Sequence, residues 1–306
     1  MYWNIEQRNF MCRFWVVLIA LMMLFANGSA LIDLDYKIGA GYREDRFRWS
    51  ISAPGGNPDV LSELTWKDLC SYNLMGTGKI SICSITARFK GDYGKIYHGQ
   101  NRDSDYLESG RKQEYSRSIN DAGKGEVFDL SAAIGFQTTW FCQMLKIIPL
   151  AGWSHHELHL RQFHGRQTID FDGEPGKISN LHSNYRAKWD GPWVGGDLFC
   201  YLGSWTLYGT FEYHWAHYKG QGHWNLRWDF LKDFRQKAHA TGTFYTLGTQ
   251  YQFDCGWLIG LEGNFLRMNT WHGMDYIYSI FGKGATPFNG AKWRSYSVLG
   301  TLSYML

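Results

Sequence analysis

The stretch "VFDLSAAIGFQTTW", residues 127–140, alternates apolar residues with polar or small ones at a period of two. Successive side chains of a β-strand point to opposite faces, so this pattern predicts a strand with one apolar and one polar or small face. "WTLYGTFEYHW" at 205–215 and "SYSVLGTLSYML" at 295–306 repeat the pattern. The apolar face of the first stretch comprises Phe128, Leu130, Ala132, Ile134, Phe136 and Trp140.

Repetition of this pattern predicts about ten strands, near residues 31–48, 61–74, 79–90, 126–141, 146–163, 184–202, 204–219, 234–253, 257–270 and 290–306. Short turns are expected at 76–78, 142–145, 203–205 and 254–256, and long polar loops at 49–60, 91–125, 164–183, 220–233 and 271–289. Short turns at one end and long loops at the other are typical of outer-membrane barrels. Lipid offers no hydrogen-bond partner to a sheet edge, so the sheet is expected to close. The sequence therefore predicts an all-β fold: a closed antiparallel up-and-down transmembrane β-barrel with long extracellular loops and short periplasmic turns.

The overall composition agrees with many extended segments joined by tight turns. The chain has 15 Trp, 19 Tyr and 19 Phe residues, with 35 Gly and only 6 Pro. Several tryptophans fall near predicted strand ends, where interfacial aromatic girdles form. A soluble sandwich or a lipocalin-like barrel is the alternative, and either would turn its apolar faces inward. The net charge of +3 gives no indication of nucleic-acid binding.

The amino terminus has the pattern of an export signal. Arg8 and Arg13 precede an apolar run from Phe14 to Phe25, and small residues Gly28 and Ala30 follow. The apolar run is short for a membrane-spanning helix, although a retained anchor is the alternative. We therefore predict a signal peptide at residues 1–30 and a barrel at 31–306.

Five cysteines follow the predicted cleavage point, at 70, 83, 142, 200 and 255. They are dispersed singly without a C-x-x-C pair, so neither a zinc knuckle nor a redox motif is indicated. An odd number leaves at least one thiol unpaired or paired with another chain.

Two polar segments are candidates for chemistry. "GQNRDSDYLE" at 99–108 places Asp103 and Asp105 one residue apart, although most such pairs are solvated turn residues. A calcium loop is excluded there because the third oxygen ligand and the glycine are missing. "SHHELHLRQFH" at 154–164 puts His155, Glu157 and His159 on one strand face. Polar aromatic residues are also expected where a strand leaves the bilayer, so no metal site is predicted.

Three stretches together resemble the omptins, the ten-stranded outer-membrane endoproteases of Gram-negative bacteria. They are "GYREDRFRWSISAPGGNPDVLSELTWK" at 41–67, "NYRAKWDGPWVGGDLFCYLGSWTLYGTFEY" at 184–213, and the closing strand. The chain is also similar to the omptin-related outer-membrane barrels of chlamydia-like bacteria, in which protease activity is not a given.

The omptin resemblance implies a site in which two aspartates and an Asp–His pair activate a water for peptide hydrolysis. Asp103 and Asp105 match the first pair. In "YKGQGHWNLR" at 218–227, His223 matches the histidine, but Gln221 occupies the place of its aspartate. A neutral amide orients an imidazole less firmly than a carboxylate and does not stabilise an imidazolium. Glu44 resembles the acidic residue that receives a basic substrate side chain, but could equally be an ordinary charged neighbour of the arginines around it.

The resemblance further implies outer-membrane lipid as a partner, with lipopolysaccharide contacting a basic patch that Arg161, Arg186 and Lys188 could supply. No cofactor is predicted. A surface endopeptidase with a polypeptide substrate is one expected function. An inactive relative serving as surface structure or in host contact is the alternative, and a small pore is a further one.

Overall fold

The computed structural model describes residues 32–141, 143–171 and 173–305. The predicted signal peptide and Cys142 lie outside these ranges. The regular structure in them consists of antiparallel strands: β1 Ile32–Ile51, β2 Ser62–Ile82, β3 Ile85–Glu108, β4 Lys112–Asp121, β5 Gly125–Phe136, β6 Thr138–Trp140, β7 Leu145–Asp170, β8 His182–Leu202, β9 Trp205–His223, β10 Phe230–Gln252, β11 Trp257–Thr270, β12 Gly273–Ser279 and β13 Gly282–Met305.

The sheet closes because β1 pairs with β2 on one side and with β13 on the other. The thirteen segments form a ring of ten strands. β4, β5 and β6 together make one of them, since β4 and β5 both lie between β3 and β7 and β6 pairs with β7. β11 and β12 make another, between β10 and β13. The predicted closed up-and-down barrel is confirmed.

The connections differ at the two ends of the barrel, which we call the turn end and the loop end. Tight turns at the turn end use the left-handed backbone, with φ of 55° at Cys83, 64° at Gly203 and 82° at Gly256. The prediction of a turn at 76–78 is wrong, because that segment continues β2 and the chain reverses at Cys83–Ser84. Glycines alone indicated a turn there, but in a sheet they also permit close packing.

The strands extend much further at the loop end than the sequence predicts. Segment 91–125 is not a loop, because β3 runs to Glu108 and β4 follows it from Lys112. The loops predicted at 164–183, 220–233 and 271–289 are likewise shortened by β7, β9, β10, β12 and β13. Above the apolar zone neither face of the wall has to be apolar. The alternation that revealed the lower strands therefore fades there, while the hydrogen-bonded ladder continues.

Apolar side chains point outward on the turn-end half of the wall. Exposed residues on this outer surface include Ile134, Val194, Leu207, Leu261 and Val298. Neighbouring side chains such as Thr206, Glu262 and Ser297 are buried inside the barrel. An apolar outer surface suits contact with lipid, whereas a soluble barrel would turn its apolar faces inward. No helix in the described ranges is long and apolar enough to cross a membrane.

Ion pairs cross the lumen of the turn-end half. Arg43 lies 2.9 Å from Asp45, 2.8 Å from Asp92 and 2.6 Å from Asp129. Arg88 lies 2.6 Å from Asp197 and also pairs with Glu212. Buried groups remain charged only when they are paired. Because the partners lie on different strands, these ion pairs also tie opposite walls together.

A layer of buried aromatic side chains closes the lumen above these ion pairs. Trp189 stacks on Trp293 with ring centroids 4.9 Å apart, and Tyr218 stacks on Phe288 at 5.5 Å. The indole of Trp293 also donates a 2.8 Å hydrogen bond to Asp45, which joins the layer to the network below. We call this group the aromatic layer; its members are Phe47, Trp49, Trp66, Tyr185, Trp189, Tyr218, Phe234, Phe288 and Trp293.

The described cysteines 70, 83, 200 and 255 are free thiols.

Candidate functional site

Asp103 and Asp105 lie on β3 near the loop end and face the barrel interior. Asp103 is paired with Leu64 on β2, a fully buried residue, and Asp105 is paired with Ser62. On the other side, β4 places Ser118 beside Asp103 and Ser116 beside Asp105. Residues paired across antiparallel strands share a face, so these ladders fix the direction of both carboxylates.

The two aspartates line a cavity of about 330 Å³, which we call the loop-end cavity. Its wall comes from β2, β3, β4, β7 and β8, together with the loops that precede β8 and follow β9. The lining residues are Ser62, Asp103, Asp105, Ser116, Ser118, Asn120, Gln162, Gln167, Ile178, Leu181, Ser183, Trp224, Leu226 and Arg227. These described lining residues include hydroxyls, amides, two carboxylates and one guanidinium, but no histidine.

Burial dominates the electrostatics of the carboxylate pair. It raises the pKa of Asp103 well above its usual range, and the neighbouring charge of Asp105 adds to this, while Arg227 acts against it. Burial also raises the pKa of Asp105, opposed by hydrogen bonding from Ser62 and Ser116 and by Arg227. The pair therefore holds a proton more readily than two solvated aspartates would.

Arg227 is itself engaged by a nearby carboxylate. It forms a bidentate pair with Asp229 at 2.8 and 2.7 Å and lies over the ring of Phe230 at 4.1 Å. Since a bidentate pair fixes both side chains, Arg227 forms a rigid border of the cavity rather than an ion pair with Asp103 or Asp105.

His223 and Gln221 lie on the outer face of the wall, on β9. The intervening Gly222 faces inward, where an added Cβ would stand 2.1 Å from the ring of Phe234. Side chains one residue before and after it therefore point outward, and both residues are exposed. The structure does not bring His223 and Gln221 to the carboxylate pair.

A carboxylate nevertheless orients the imidazole of His223. Asp233 on β10 lies 2.9 Å from His223 Nδ1 and accepts a 2.7 Å hydrogen bond from the amide of Gln221. No sequence pattern indicates Asp233, because it belongs to the next strand and no local spacing connects it to His223. The resulting cluster is polar, exposed and separated from the loop-end cavity by the barrel wall.

Glu44 also points outward. It lies on β1 between Arg43 and Asp45, whose side chains are buried in the lumen, and its cross-strand partners are Cys70 and Tyr296. Tyr42 donates a 3.3 Å hydrogen bond to Glu44. Glu44 therefore does not line the loop-end cavity.

The outer face of β7 and β8 carries the predicted basic patch together with an acidic residue. Glu157 is bonded to Arg186 and lies 3.5 Å from Lys188. His155 lies 2.5 Å from Asp190 and 3.4 Å from Glu157. Within the described ranges, no group of three or more His, Cys, Asp or Glu side chains could hold a metal ion.

The sequence does not predict most of the residues that line the loop-end cavity. Asn120 and Gln162 belong to no motif, and they reach the cavity only because β4 pairs with β3 and β7 pairs with β4. Trp224 and Arg227 lie in the same segment as His223, at 218–227. An indole and a guanidinium so close to His223 are the sequence feature that could have indicated the border of the cavity.

Comparison with known structures places this fold beside an omptin. The outer membrane protease OmpT from Escherichia coli matches with a TM-score of 0.76 and 15% sequence identity, over 90% of this chain and 97% of that one. The translocator domain of the autotransporter NalP from Neisseria meningitidis matches at a TM-score of 0.33 with 11% identity, over 98% and 96% of the two chains. A major outer membrane protein from Thermus thermophilus matches at 0.34 with 9% identity, over 90% and 100%.

The first of these likenesses shows an omptin-like barrel fold, and at this identity it shows the fold alone. A search of curated proteins finds no match to the sequence. A family model, in contrast, matches residues 37–306, nearly all of the barrel. The chain thus belongs to the Pom family, Protochlamydia outer membrane protein, and is an outer-membrane β-barrel protein.

Proposed function

We propose that this chain is a non-hydrolytic surface barrel of the omptin type, whose loop-end cavity binds an extracellular ligand. One observation carries the proposal: Asp103 and Asp105 face the interior, whereas His223 faces outward. A general base must reach the proton it abstracts directly or through one water. Groups on opposite faces of a barrel wall cannot hold the same water. The described lining residues of the cavity therefore offer no imidazole for the omptin-type water activation expected from the resemblance.

Restoring such a site would require a change in β9. Shifting the strand by one residue would turn His223 inward, but it would also move every other side chain of β9 to the opposite face. Leu207 and Phe211 would leave the outer apolar surface, and the paired Glu212 would leave the lumen. Moving apolar side chains into the lumen and a charged one to the outer surface would cost free energy, which favours the observed register of β9.

The test is hydrolysis of a peptide with paired basic residues by the folded protein in lipid. Wild type, Asp103→Ala and His223→Ala are compared at equal concentration, and folding of each is checked by heat-modifiable gel mobility. We expect none of the three to cleave. Cleavage by wild type that is lost in both variants would overturn the proposal and establish the peptidase.

A small pore is a second candidate, favoured by the charged lumen of the turn-end half. A cavity of about 100 Å³ there is lined by Lys37, Lys79 and Lys146 along with several carboxylates. The aromatic layer opposes conduction, because its members fill the lumen above. Planar-bilayer recordings decide: steps of stable conductance would establish the pore, and their absence at every voltage would remove it.

Contact with lipopolysaccharide is a further part of the proposal. Arg161, Arg186 and Lys188 lie on the outer face of β7 and β8, on the loop-end side of the exposed Trp153 and Val194. Glu157 already engages the last two, so a phosphate would have to compete with it.

A further inference from the structure

We propose that the outer wall of the barrel binds a lipid with a doubly phosphorylated headgroup at three adjacent arginines on β1, β13 and β11. These are Arg46, Arg294 and Arg267, which we call the arginine row. The arginine row lies on the outside of the wall, so this inference is independent of the loop-end cavity and of the function proposed for it. The ring of strands also places it across the barrel from the basic patch of β7 and β8.

The strand ladders bring the three arginines side by side. Arg294 is paired with Arg46 on one side and with Arg267 on the other. All three are exposed, whereas residues next to them in sequence, such as Asp45 and Trp293, are buried inside the barrel. Directly paired residues of antiparallel strands have their Cα atoms about 4.5–5.5 Å apart. The three guanidinium groups can therefore contact one ligand together.

The protein itself does not compensate the charges of the arginine row. The neighbouring acidic residues are Glu44 on β1 and Asp68 on β2, at the irregularity opposite Arg46. In the described part of the chain, neither of them forms an ion pair with an arginine of the row. Lys292 and Arg48 are paired in the next row toward the loop end and add two further cations. Like charges directly opposite each other destabilise a sheet, and an anion bound between the guanidinium groups would remove this repulsion.

The arginine row lies directly above the lipid-facing surface of the same three strands. The next row toward the turn end consists of Glu44, Tyr296 and Phe265, and the last two rings have their centroids 5.1 Å apart. Val298 and Leu261 follow, exposed on the same outer face. Aromatic side chains at the edge of an apolar surface mark the boundary of the bilayer. The guanidinium groups therefore lie at the height of lipid headgroups, with apolar surface below them for acyl chains.

The number and spacing of the charges favour a headgroup with two phosphates. Arginine binds phosphate through two parallel hydrogen bonds. A single phosphodiester carries one negative charge for three guanidinium groups, and a zwitterionic headgroup adds a cation that the arginine row repels. Two phosphate monoesters carry about three to four negative charges at neutral pH. Two interstrand spacings make the arginine row about 10 Å wide, which gives room for both phosphates.

The basic patch of β7 and β8 offers less to such a headgroup. Glu157 is bonded to Arg186 and lies 3.5 Å from Lys188. A phosphate there has to displace a carboxylate that the protein already provides, whereas the arginine row is open to it. We therefore expect the tighter lipid site on β1, β13 and β11.

The experiment measures binding of diphosphoryl lipid A to the folded protein in neutral detergent by native mass spectrometry. Monophosphoryl lipid A, phosphatidylglycerol and inorganic phosphate are the comparison ligands. We expect a one-to-one complex with diphosphoryl lipid A, weaker binding of the two lipids with one phosphate, and no complex with inorganic phosphate. The triple variant Arg46→Gln, Arg267→Gln and Arg294→Gln should weaken binding about a hundredfold, because each cation beside an anionic lipid surface contributes about fivefold.

A matched control removes three exposed cations elsewhere on the barrel. The triple variant Lys95→Gln, Lys112→Gln and Lys177→Gln changes the net charge by the same amount and should leave the affinity for diphosphoryl lipid A unchanged. A corresponding Gln variant of the basic patch of β7 and β8 shows whether the lipid binds on that side instead.

Absence of a complex with diphosphoryl lipid A would overturn the inference, as would equal affinity for the monophosphoryl form. Full binding by the variant of the arginine row, or equal weakening by the lysine control, would also overturn it. Binding lost only in the variant of the β7–β8 patch would assign the lipid to that patch and not to the arginine row. Peptide cleavage bears on the proposed function alone.

The heat-modifiable mobility of each variant shows whether it has folded. Arg294→Gln, at the centre of the arginine row, is the second variant if the triple variant does not fold, and it should weaken binding about fivefold. Because it removes repulsion between paired arginines, it should unfold in phosphatidylcholine vesicles at a urea concentration no lower than wild type. A lower midpoint would show that the row is compensated within the protein and would contradict the inference.

Discussion

One buried carboxyl group on β12 should make its own contribution to a fall in barrel stability as the pH rises through neutrality. Asp275 lies on β12 at the loop end, paired with Gln236 on β10 and Thr286 on β13. It is 2% exposed and has no ion-pair partner within the described ranges. Burial raises its pKa from 3.8 to about 7, and the neighbouring amide of Gln236 only partly opposes this.

The sign of the effect follows from the direction in which the pKa moves. A carboxyl with a raised folded-state pKa binds its proton more tightly in the folded than in the unfolded chain. Its stabilisation is complete below pH 3.8 and is lost as the pH rises through about 7. A pKa difference of one between the two states corresponds to about 1.4 kcal/mol, so the full window amounts to about 4 kcal/mol. Roughly 2–3 kcal/mol of it falls between pH 5 and 8.

The variant that tests this is Asp275→Asn, which keeps the shape of the side chain and removes its titration. Unfolding by guanidinium from lipid vesicles is measured at pH 5 and pH 8 for both proteins. Wild type should lose about 2–3 kcal/mol more than the variant between these values. Asp254→Asn, at an exposed turn, is the control and should behave as wild type. Equal pH dependence of wild type and Asp275→Asn would contradict this account of Asp275.

Three further predictions concern the interior. Gly222→Ala should destabilise the barrel by about 1–3 kcal/mol, because its Cβ would stand 2.1 Å from the ring of Phe234; guanidinium unfolding measures this. Arg43→Met should cost about 3–5 kcal/mol by the same assay, since it removes the arginine that pairs with the buried Asp45 and Asp92 and with the partly buried Asp129. The double change Trp189→Ala and Trp293→Ala should open the aromatic layer and produce or enlarge conductance steps in planar bilayers. Unchanged recordings from the folded variant would show that another part of the lumen blocks ions.

The barrel could be predicted from sequence because lipid imposes one rule on every strand. An outer surface in contact with hydrocarbon must be apolar while the lumen stays polar. Segments such as 127–136 and 205–215 therefore alternate with a period of two, and the exposed Ile134, Phe136 and Leu207 confirm that the apolar faces point outward. The requirement applies only where the wall contacts the bilayer. Above it, β3 and β4 continue as paired strands without alternation, which is why the sequence predicts a loop at 91–125.

The composition of the cavity could not be predicted, because it depends on pairing between distant segments. Gln162 and Ser183 meet through the β7–β8 ladder, and Asn120 and Asn101 meet through the β3–β4 ladder. None of these residues belongs to a motif. The sequence supplied only Asp103 and Asp105, through their spacing and the family resemblance.

The opposite orientations of Asp105 and His223 have a common physical explanation. Near the turn end, the outward-facing residues of both strands have odd numbers, for example Phe89 on β3 and Phe211 on β9. Asp105 and His223 also have odd numbers, so uninterrupted alternation would turn both of them outward. The ladder of β9 with β10 runs without a register shift, so His223 remains outward like Phe211. The ladder of β2 with β3 is irregular near Cys70 and His98. An extra residue there reverses the alternation, and Asp105 turns inward. The irregularity in β3, together with its absence in β9, therefore separates the carboxylates from the imidazole.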